Sequence, residues 1–201
     1  MKNFTLSLLT LLLILLSSFS TNAQLIKFGI GGGLTALSSP DSLTKSISDG
    51  GLGFTTNYHF TVMAKIDIPL IPITPGVFID YHYLKGSGST NAGNISTEQN
   101  IFSLGVEGQY NIIPLPLVKP YALVDIVYNH FGNIQVSGAG GTFSFIGYNR
   151  YGAAIGVGAV VTALPAIDLD VSLKYNFMNL VGKDSGEGSI NATTLNLILF
   201  F

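Results

Sequence analysis

Residues Phe54 to Ile68 alternate between two faces with a period of two, and this alternation constrains the fold more than any other feature of the sequence. Every second residue starting from Phe54 is apolar, with one exception, whereas the positions between them are mostly polar or charged, as at His59, Lys65 and Asp67. A period of two is typical of a β-strand. The segment is about three times as long as an average soluble strand of about 5–6 residues. It is long enough for a tilted strand that crosses a membrane, which needs about 9–11 residues.

The same alternation recurs along the chain and predicts eight strands. Their predicted ranges are 25–37, 53–68, 73–85, 98–112, 119–131, 147–163, 167–179 and 192–201. The connections alternate in length: long ones rich in Gly, Ser, Asn and Asp cover 38–52, 86–97, 132–146 and 180–191, and short ones cover 69–72, 113–118 and 164–166. Short periplasmic turns and longer extracellular loops are the rule in outer-membrane barrels. We therefore predict an all-β, eight-stranded, antiparallel up-and-down transmembrane barrel with both termini in the periplasm.

The charged residues of the predicted strands fall almost entirely in one phase of the alternation. That phase is also rich in glycine, as a lumen filled by its own side chains requires, and the opposite phase is apolar enough to face lipid. A soluble barrel would place its charges outward instead. The inward charges predict a structural network in the lumen, because an unpaired buried charge is very costly. Its predicted members are Lys65, Asp80, Glu107, Asp125, Arg150 and Lys174.

The first 23 residues have the pattern of a secretory signal peptide. Lys2 supplies a positive charge, Leu6 to Leu16 an apolar segment, and Thr21 to Ala23 a cleavage site of small residues. We therefore predict a signal peptide at residues 1–23 and a single barrel domain at 24–201, exported to the bacterial outer membrane.

The composition of the chain limits the classes of partner. Only 10% of the residues are charged, against about 25% in a typical soluble domain, which fits a surface that faces lipid. Without Lys2 the chain carries eight basic and eleven acidic residues, so nothing in its charge indicates nucleic-acid binding. It has no cysteine, which excludes a disulfide framework and a lipoprotein anchor.

Several segments together resemble a known family. They are the signal peptide ending at Asn22-Ala23-Gln24, the glycine-rich opening Gly29 to Gly33, the strand Lys119 to Leu123, the stretch Gly152 to Val160, and the strand Asp168 to Asn176. With these features the mature chain resembles the outer-membrane β-barrel domain family of Bacteroidetes-type bacteria. The resemblance implies a small eight-stranded barrel in the outer membrane, but no particular activity, because the shared motifs are compositional.

Three patterns could carry chemistry, and each has a structural interpretation that we favour. His59, Asp80 and His82 share the inward phase, but a metal site needs three or four ligands in fixed geometry, so we predict hydrogen-bonded lumen histidines and no metal. Outer-membrane lipid A deacylases use a rim histidine followed two residues later by a serine, whereas His130 is followed at that position by Gly132. We therefore predict that His130 is a histidine of the membrane interface.

The third pattern, Gly29 to Gly33, resembles part of a phosphate-binding loop but is not followed by a helix. Close packing of the strands around a tight lumen explains these glycines better. We therefore predict no catalytic residue, no cofactor and no enzymatic activity.

Two functions remain open for a barrel of this kind. The first is a non-enzymatic structural or adhesion role, in which a filled barrel presents four mobile extracellular loops to a partner. The second is a narrow pore or a carrier for small or apolar solutes. The expected partners are outer-membrane lipid, an extracellular molecule that contacts the four long loops, and the barrel-assembly machinery, which would contact the last strand ending at Phe201.

Overall fold

A computed structural model describes residues 26–68, 71–90, 93–113, 115, 117–164 and 167–201, and the predicted signal peptide lies outside these residues. The strands are β1 (Ile26–Ser39), β2 (Thr56–Ile66), β3 (Ile73–Thr90), β4 (Gly93–Asn111), β5 (Val118–Phe131), β6 (Ile134–Gly138), β7 (Gly141–Phe145), β8 (Tyr148–Leu164), β9 (Ile167–Val181) and β10 (Asn191–Phe200). A short helix α1 (Asp41–Thr44) and a 3-10 turn (Ile47–Asp49) lie between β1 and β2.

Eight of the described strands close into the predicted antiparallel barrel. Each of β1 to β4 pairs with the next strand, β5 pairs with β8, β8 with β9, and β9 with β10. β1 and β10 then close the ring over a register that runs from Gly29–Phe200 to Ser39–Asn191, and the backbones of Phe28 and Phe201 bond to each other beyond it. No helix within the described residues is long and apolar enough to cross a membrane.

The two faces of the barrel wall have the predicted polarity. Outward positions are apolar and exposed, as at Val157 and Leu173, which lie opposite each other on β8 and β9. Inward positions such as Thr61 are buried. Tyrosine pairs also lie on the outer surface near the long-loop end, with ring centroids of Tyr58 and Tyr83 5.6 Å apart. The phase prediction is therefore confirmed.

Glycines make room for the large side chains of the lumen. A Cβ atom at Gly158 would overlap the ring of Tyr121, and one at Gly105 would overlap the ring of Phe78. Since a barrel of eight strands is only just wide enough for its own side chains, these two aromatic rings fit inside only because the directly opposed residue on the neighbouring strand has no side chain.

The prediction that the four long connections are mobile loops was wrong for two of them. Most of 86–97 belongs to β3 and β4, which pair as a hairpin from Ile73–Tyr110 up to Thr90–Gly93. Most of 132–146 forms a second hairpin, β6–β7, in which β6 pairs with the upper part of β4. The reason is that Ser, Thr and Gly form ladder hydrogen bonds through their backbones as other residues do, and a strand outside a membrane needs no apolar phase. Above the barrel, β3, β4, β6 and β7 thus continue the wall upward.

The predicted outward position of Phe54 was also wrong. β2 begins only at Thr56, and the Phe54 side chain is fully buried. The backbone N–H of Phe54 donates to the carbonyl of Leu43, while the carbonyl of Thr55 accepts from Leu37. These bonds turn the chain inward just before β2, so the alternation of the strand does not extend back to this residue.

Candidate functional site

The centre of the lumen holds a cluster of paired charges. The Nζ atom of Lys174 lies 2.6 Å from Oε2 of Glu107 and 2.9 Å from Oδ2 of Asp125. The Nζ atom of Lys65 lies 2.6 Å from Oδ2 of Asp170 and 3.5 Å from Oε1 of Glu107. All five side chains are at least nine-tenths buried. We call these five residues the lumen cluster.

The strand register explains why the lumen cluster needs its lysines. Glu107 on β4 lies directly opposite Asp125 on β5, and like charges at opposed positions destabilise a sheet. Lys174 reaches both carboxylates from β9, a strand that is adjacent to neither β4 nor β5. The ion pairs therefore cross part of the lumen and join strands that are not neighbours in the barrel wall.

Aromatic groups complete the packing around the lysines. Tyr121 donates a hydrogen bond of 2.5 Å from its hydroxyl to Oδ1 of Asp170. The ammonium of Lys65 lies 4.6 Å from the ring centroid of Phe200, and that of Lys174 lies 4.6 Å from the ring centroid of Phe78. Such cation–π contacts are favourable when the cation is desolvated. The centre of the barrel is consequently a packed layer of side chains.

The six residues predicted for the lumen network do not all come together. Lys65, Glu107, Asp125 and Lys174 meet in the lumen cluster. Asp80 faces the lumen above them, beside a cavity of about 20 Å³, and forms no ion pair with any described residue. Arg150 lies at the long-loop end, where its Nη2 atom is 2.7 Å from Oδ2 of Asp184.

Sequence reasoning missed several partners of these charges. Asp170 is in the same inward phase as Lys174 and four residues before it, so the alternation places it in the lumen although the predicted network omits it. The role of Tyr121 and the loop partners of Arg150 carry no such signal, because a tyrosine hydroxyl has no phase preference and Asp184 and Glu187 lie outside any strand. At the short-turn end, Lys27 pairs with Asp67 at 2.7 Å and with Asp168 at 2.8 Å.

The two lumen histidines are held by hydrogen bonds. The hydroxyl of Thr35 lies 2.9 Å from Nδ1 of His59 and 2.9 Å from Nδ1 of His82. Nε2 of His59 lies 2.7 Å from Oδ1 of Asn196. No group of three or more His, Cys, Asp or Glu side chains suited to a metal ion occurs within the described ranges.

An apolar cluster closes the lumen at the long-loop end. Phe54 belongs to this cluster, and Leu43 and Leu52 of the β1–β2 connection pack against it. We call the buried set the mouth cluster; it consists of Leu37, Phe54, Leu84, Ile101, Phe131, Met178, Ile190 and Ala192. Its members come from six barrel strands and two loops, so burial of this cluster fixes the loops over the polar lumen.

The connection between β9 and β10 is tied down by polar contacts. Nε of Arg150 donates to both carboxylate oxygens of Glu187, and Nη2 of Arg150 donates to Oε2 of the same carboxylate. The buried Asn179 donates to Glu187 and to the carbonyl of Gly188, each at 2.8 Å, and accepts from the backbone N–H of Ile190 at 2.7 Å. These bonds hold Ile190 in the mouth cluster.

The tie between Arg150 and Glu187 should depend on pH. Hydrogen bonds from the Arg150 guanidinium lower the pKa of Glu187 to about 2, below the value of about 4.3 for an unfolded chain. A lowered carboxyl pKa stabilises the fold above pH of about 4.3, and this contribution is lost as the pH falls towards 2. We therefore expect the carboxyl carbon resonance of Glu187 to titrate near pH 2, and in Arg150→Gln to titrate nearer pH 4. Lys85→Gln, which removes an exposed pair with Glu98, is the matched control; an unshifted titration in Arg150→Gln would contradict the tie.

The sequence matches a known protein family. Residues 8–199 match the family model described as the outer membrane protein beta-barrel domain. The chain belongs to that family. It is a β-barrel of the bacterial outer membrane, so the long-loop end is extracellular and the short-turn end periplasmic. No curated protein matches the sequence significantly.

Solved structures show the same barrel fold. Neisserial surface protein A (NspA) is 18% identical, with 90% of this chain and 98% of that chain covered and a TM-score of 0.60. Ail, the attachment invasion locus protein of Yersinia pestis, is 14% identical, with 88% of this chain and 97% of that chain covered and a TM-score of 0.51. That structure holds the heparin analogue sucrose octasulfate. At these identities the similarity extends to the fold alone.

Proposed function

We propose that this outer-membrane barrel is a closed, non-enzymatic protein whose role is to present a structured extracellular surface for contact with other molecules. One observation carries the proposal: the lumen is filled at two levels, by the mouth cluster at its long-loop end and by a layer of paired charges deeper in the barrel. Because the lumen is filled at these two levels, the groups that other molecules can reach lie on the outer surface of the barrel. The function we propose is therefore adhesion or another contact made by the extracellular surface.

The alternative of a narrow pore or a solute carrier fits the lumen less well. A conducting lumen needs hydrated groups that an ion can enter and leave, whereas Glu107 and Asp125 are almost fully buried and bonded to Lys174. A carrier for apolar solutes would need an apolar cavity inside the barrel, and the cavity beside Asp80 has room for about one water molecule.

The extracellular charges favour a partner other than a sulfated glycan. Ail was solved with a heparin analogue, and a ligand of that kind needs unneutralised cations. Here Lys45 pairs with Asp41, Lys85 with Glu98, and Arg150 with two carboxylates. Lys183, whose Nζ atom lies 2.8 Å from Oγ of Ser189, is the one described cation of the long-loop end without an ion pair. With the other three neutralised by neighbouring acids, the surface suits an uncharged or weakly charged partner.

A catalytic role at the rim has little support. His130 faces outward, where its Nδ1 atom lies 2.6 Å from Oδ1 of Asn149. Gly132 occupies the place where a lipid A deacylase carries its serine. The side-chain amide of Asn149 supplies neither a nucleophile nor a base for a reaction at His130. The protein that we propose therefore has no enzymatic activity.

The export route is part of the same proposal. We infer that residues 1–23 direct the chain across the inner membrane and are removed, and that the last strand with Phe201 engages the barrel-assembly machinery. The family resemblance further suggests a bacterium of the Bacteroidetes type.

Protease shaving tests the surface role even while the partner is unidentified. Beads carrying the folded barrel in lipid discs should adhere to bacterial or host cell surfaces. Mild digestion that cuts the extracellular segments and leaves the membrane barrel intact, as judged by its heat-dependent gel shift, should abolish that adhesion. Adhesion that survives complete shaving, or beads that adhere no better than empty discs, would contradict the proposed function.

A further inference from the structure

The β6–β7 hairpin is amphipathic, and its register defines the two faces. Directly opposed residues of an antiparallel pair lie on the same face of the sheet, and here Val136 opposes Phe143 and Ile134 opposes Phe145. These four apolar residues form one face, which we call the hairpin face. Gln135, Ser137, Thr142 and Ser144 form the other. Phe143 is 66% exposed and Phe145 is 59% exposed.

The hairpin face points to the side of the barrel axis, not to the membrane. Val136 lies opposite Thr97 of β4, and Thr97 is a buried inward residue whose hydroxyl donates to the carbonyl of Leu52 above the mouth. The opposite face continues from Glu98, which pairs with Lys85 on the outer surface. Since the side towards the membrane is polar, the lipid bilayer is not the partner that the apolar side chains fit.

The outer edge of the hairpin has no strand beside it. Within the described part of the chain β7 pairs with β6 and forms the end of the sheet. Alternate residues of an edge strand direct their N–H and C=O groups away from the sheet, which makes such a strand a template for another strand. All five residues of β7 are exposed, so this edge is accessible as well as unpaired.

The lack of charge around the hairpin limits further which kind of partner could bind there. No Asp, Glu, Lys or Arg occurs between His130 and Arg150. Natural edge strands usually carry charges or proline that prevent pairing, and β7 carries neither. An uncharged, apolar, unprotected edge is complementary to an uncharged extended segment with apolar residues at alternate positions.

We propose that β7 and the hairpin face form a docking site for an extended, uncharged peptide segment of a partner protein, which adds to the sheet as a fifth strand above the barrel. Backbone bonds to β7 supply affinity, and alternate side chains of the peptide pack on Phe143 and Phe145, as in other cases of strand addition. This inference rests on the proposed surface role and names the site and the partner's chemistry.

A synthetic peptide tests the site directly. The probe is a seven-residue peptide of alternating valine and threonine with a short polyethylene glycol tail, added to the isotope-labelled barrel in lipid discs. We expect the amide resonances of the barrel to shift at residues 141–145 and the affinity to fall at least tenfold in Phe143→Ser/Phe145→Ser. The matched control is Gln135→Ser/Ser144→Ala on the other face, which should bind as the wild type does. Each variant is first shown to be folded by its gel shift.

The backbone contribution is tested with the same peptide methylated at alternate amide nitrogens. One of the two methylated phases should not bind, because it lacks the donors that face β7. Equal binding of both phases would overturn strand addition. Broadening of Phe143 and Phe145 resonances by a paramagnetic lipid would overturn the proposal in favour of a lipid contact, and dimerisation lost in Phe143→Ser/Phe145→Ser would overturn it in favour of a second copy. Shaving-sensitive adhesion that persists in this variant would reject this docking site while leaving the surface role intact.

Discussion

Replacement of Lys174 by methionine should destabilise the barrel by about 3–5 kcal/mol, the usual cost of breaking a buried ion pair. Lys174 is the only described cation within 4 Å of Asp125, and it also pairs with Glu107. Its removal leaves two carboxylates that oppose each other on neighbouring strands. The free energy of unfolding, measured in detergent by urea titration with the gel shift as readout, reports the loss.

Two controls separate this effect from a general loss of charge. Lys85→Met removes an exposed ion pair with Glu98 on the outer face and should cost less than about 1 kcal/mol. The double variant Lys174→Met/Glu107→Gln should be more stable than the sum of the single changes implies, because the two residues are direct partners. Additive losses, or a Lys174→Met barrel as stable as Lys85→Met, would show that the lumen groups are hydrated and independent.

Truncation of Phe54 to alanine should cost about 3–5 kcal/mol, because it leaves a cavity in the centre of the mouth cluster. The Phe54 side chain is fully buried, and surrounding strands cannot collapse into the space without breaking their ladder bonds. Phe60→Ala is the matched control: Phe60 is 54% exposed on the outer face, where lipid chains fill the space that the ring leaves.

The two phenylalanine variants should also differ in how well the loops are held. Amide hydrogen exchange of residues 43–54 and 187–190 should accelerate in Phe54→Ala and remain as in the wild type in Phe60→Ala. Equal losses of stability in the two variants, with no change in loop exchange, would show that the Phe54 side chain faces outward, as its phase in the sequence predicts.

The barrel was predictable because one repeating constraint acts on every strand. Lipid on one side and a narrow lumen on the other leave a period of two in each membrane-crossing segment, so Val157 and Lys174 could be assigned to opposite faces from the sequence alone. The charges that meet in the lumen cluster follow from the same phase. Depth was less predictable, since it depends on the stagger between strands, and Asp80 therefore lies outside the cluster.

The extracellular part was poorly predicted because that constraint ends at the membrane surface. Serine- and glycine-rich segments above the membrane form strands through tertiary pairing, as β6 does against β4. Phe54 turns inward because its N–H bonds to the carbonyl of Leu43, while the carbonyl of Thr55 accepts from Leu37, and no local pattern encodes these bonds. The partners of Arg150 come from a loop more than 30 residues away.

Single-channel recording in planar bilayers shows whether the barrel is closed. We expect that folded wild-type protein, added at a level that gives confirmed insertion, produces no steady conductance above that of the bare membrane. Steady open levels, with a charge selectivity that changes in Glu107→Gln, would contradict it and identify the lumen as a path for ions.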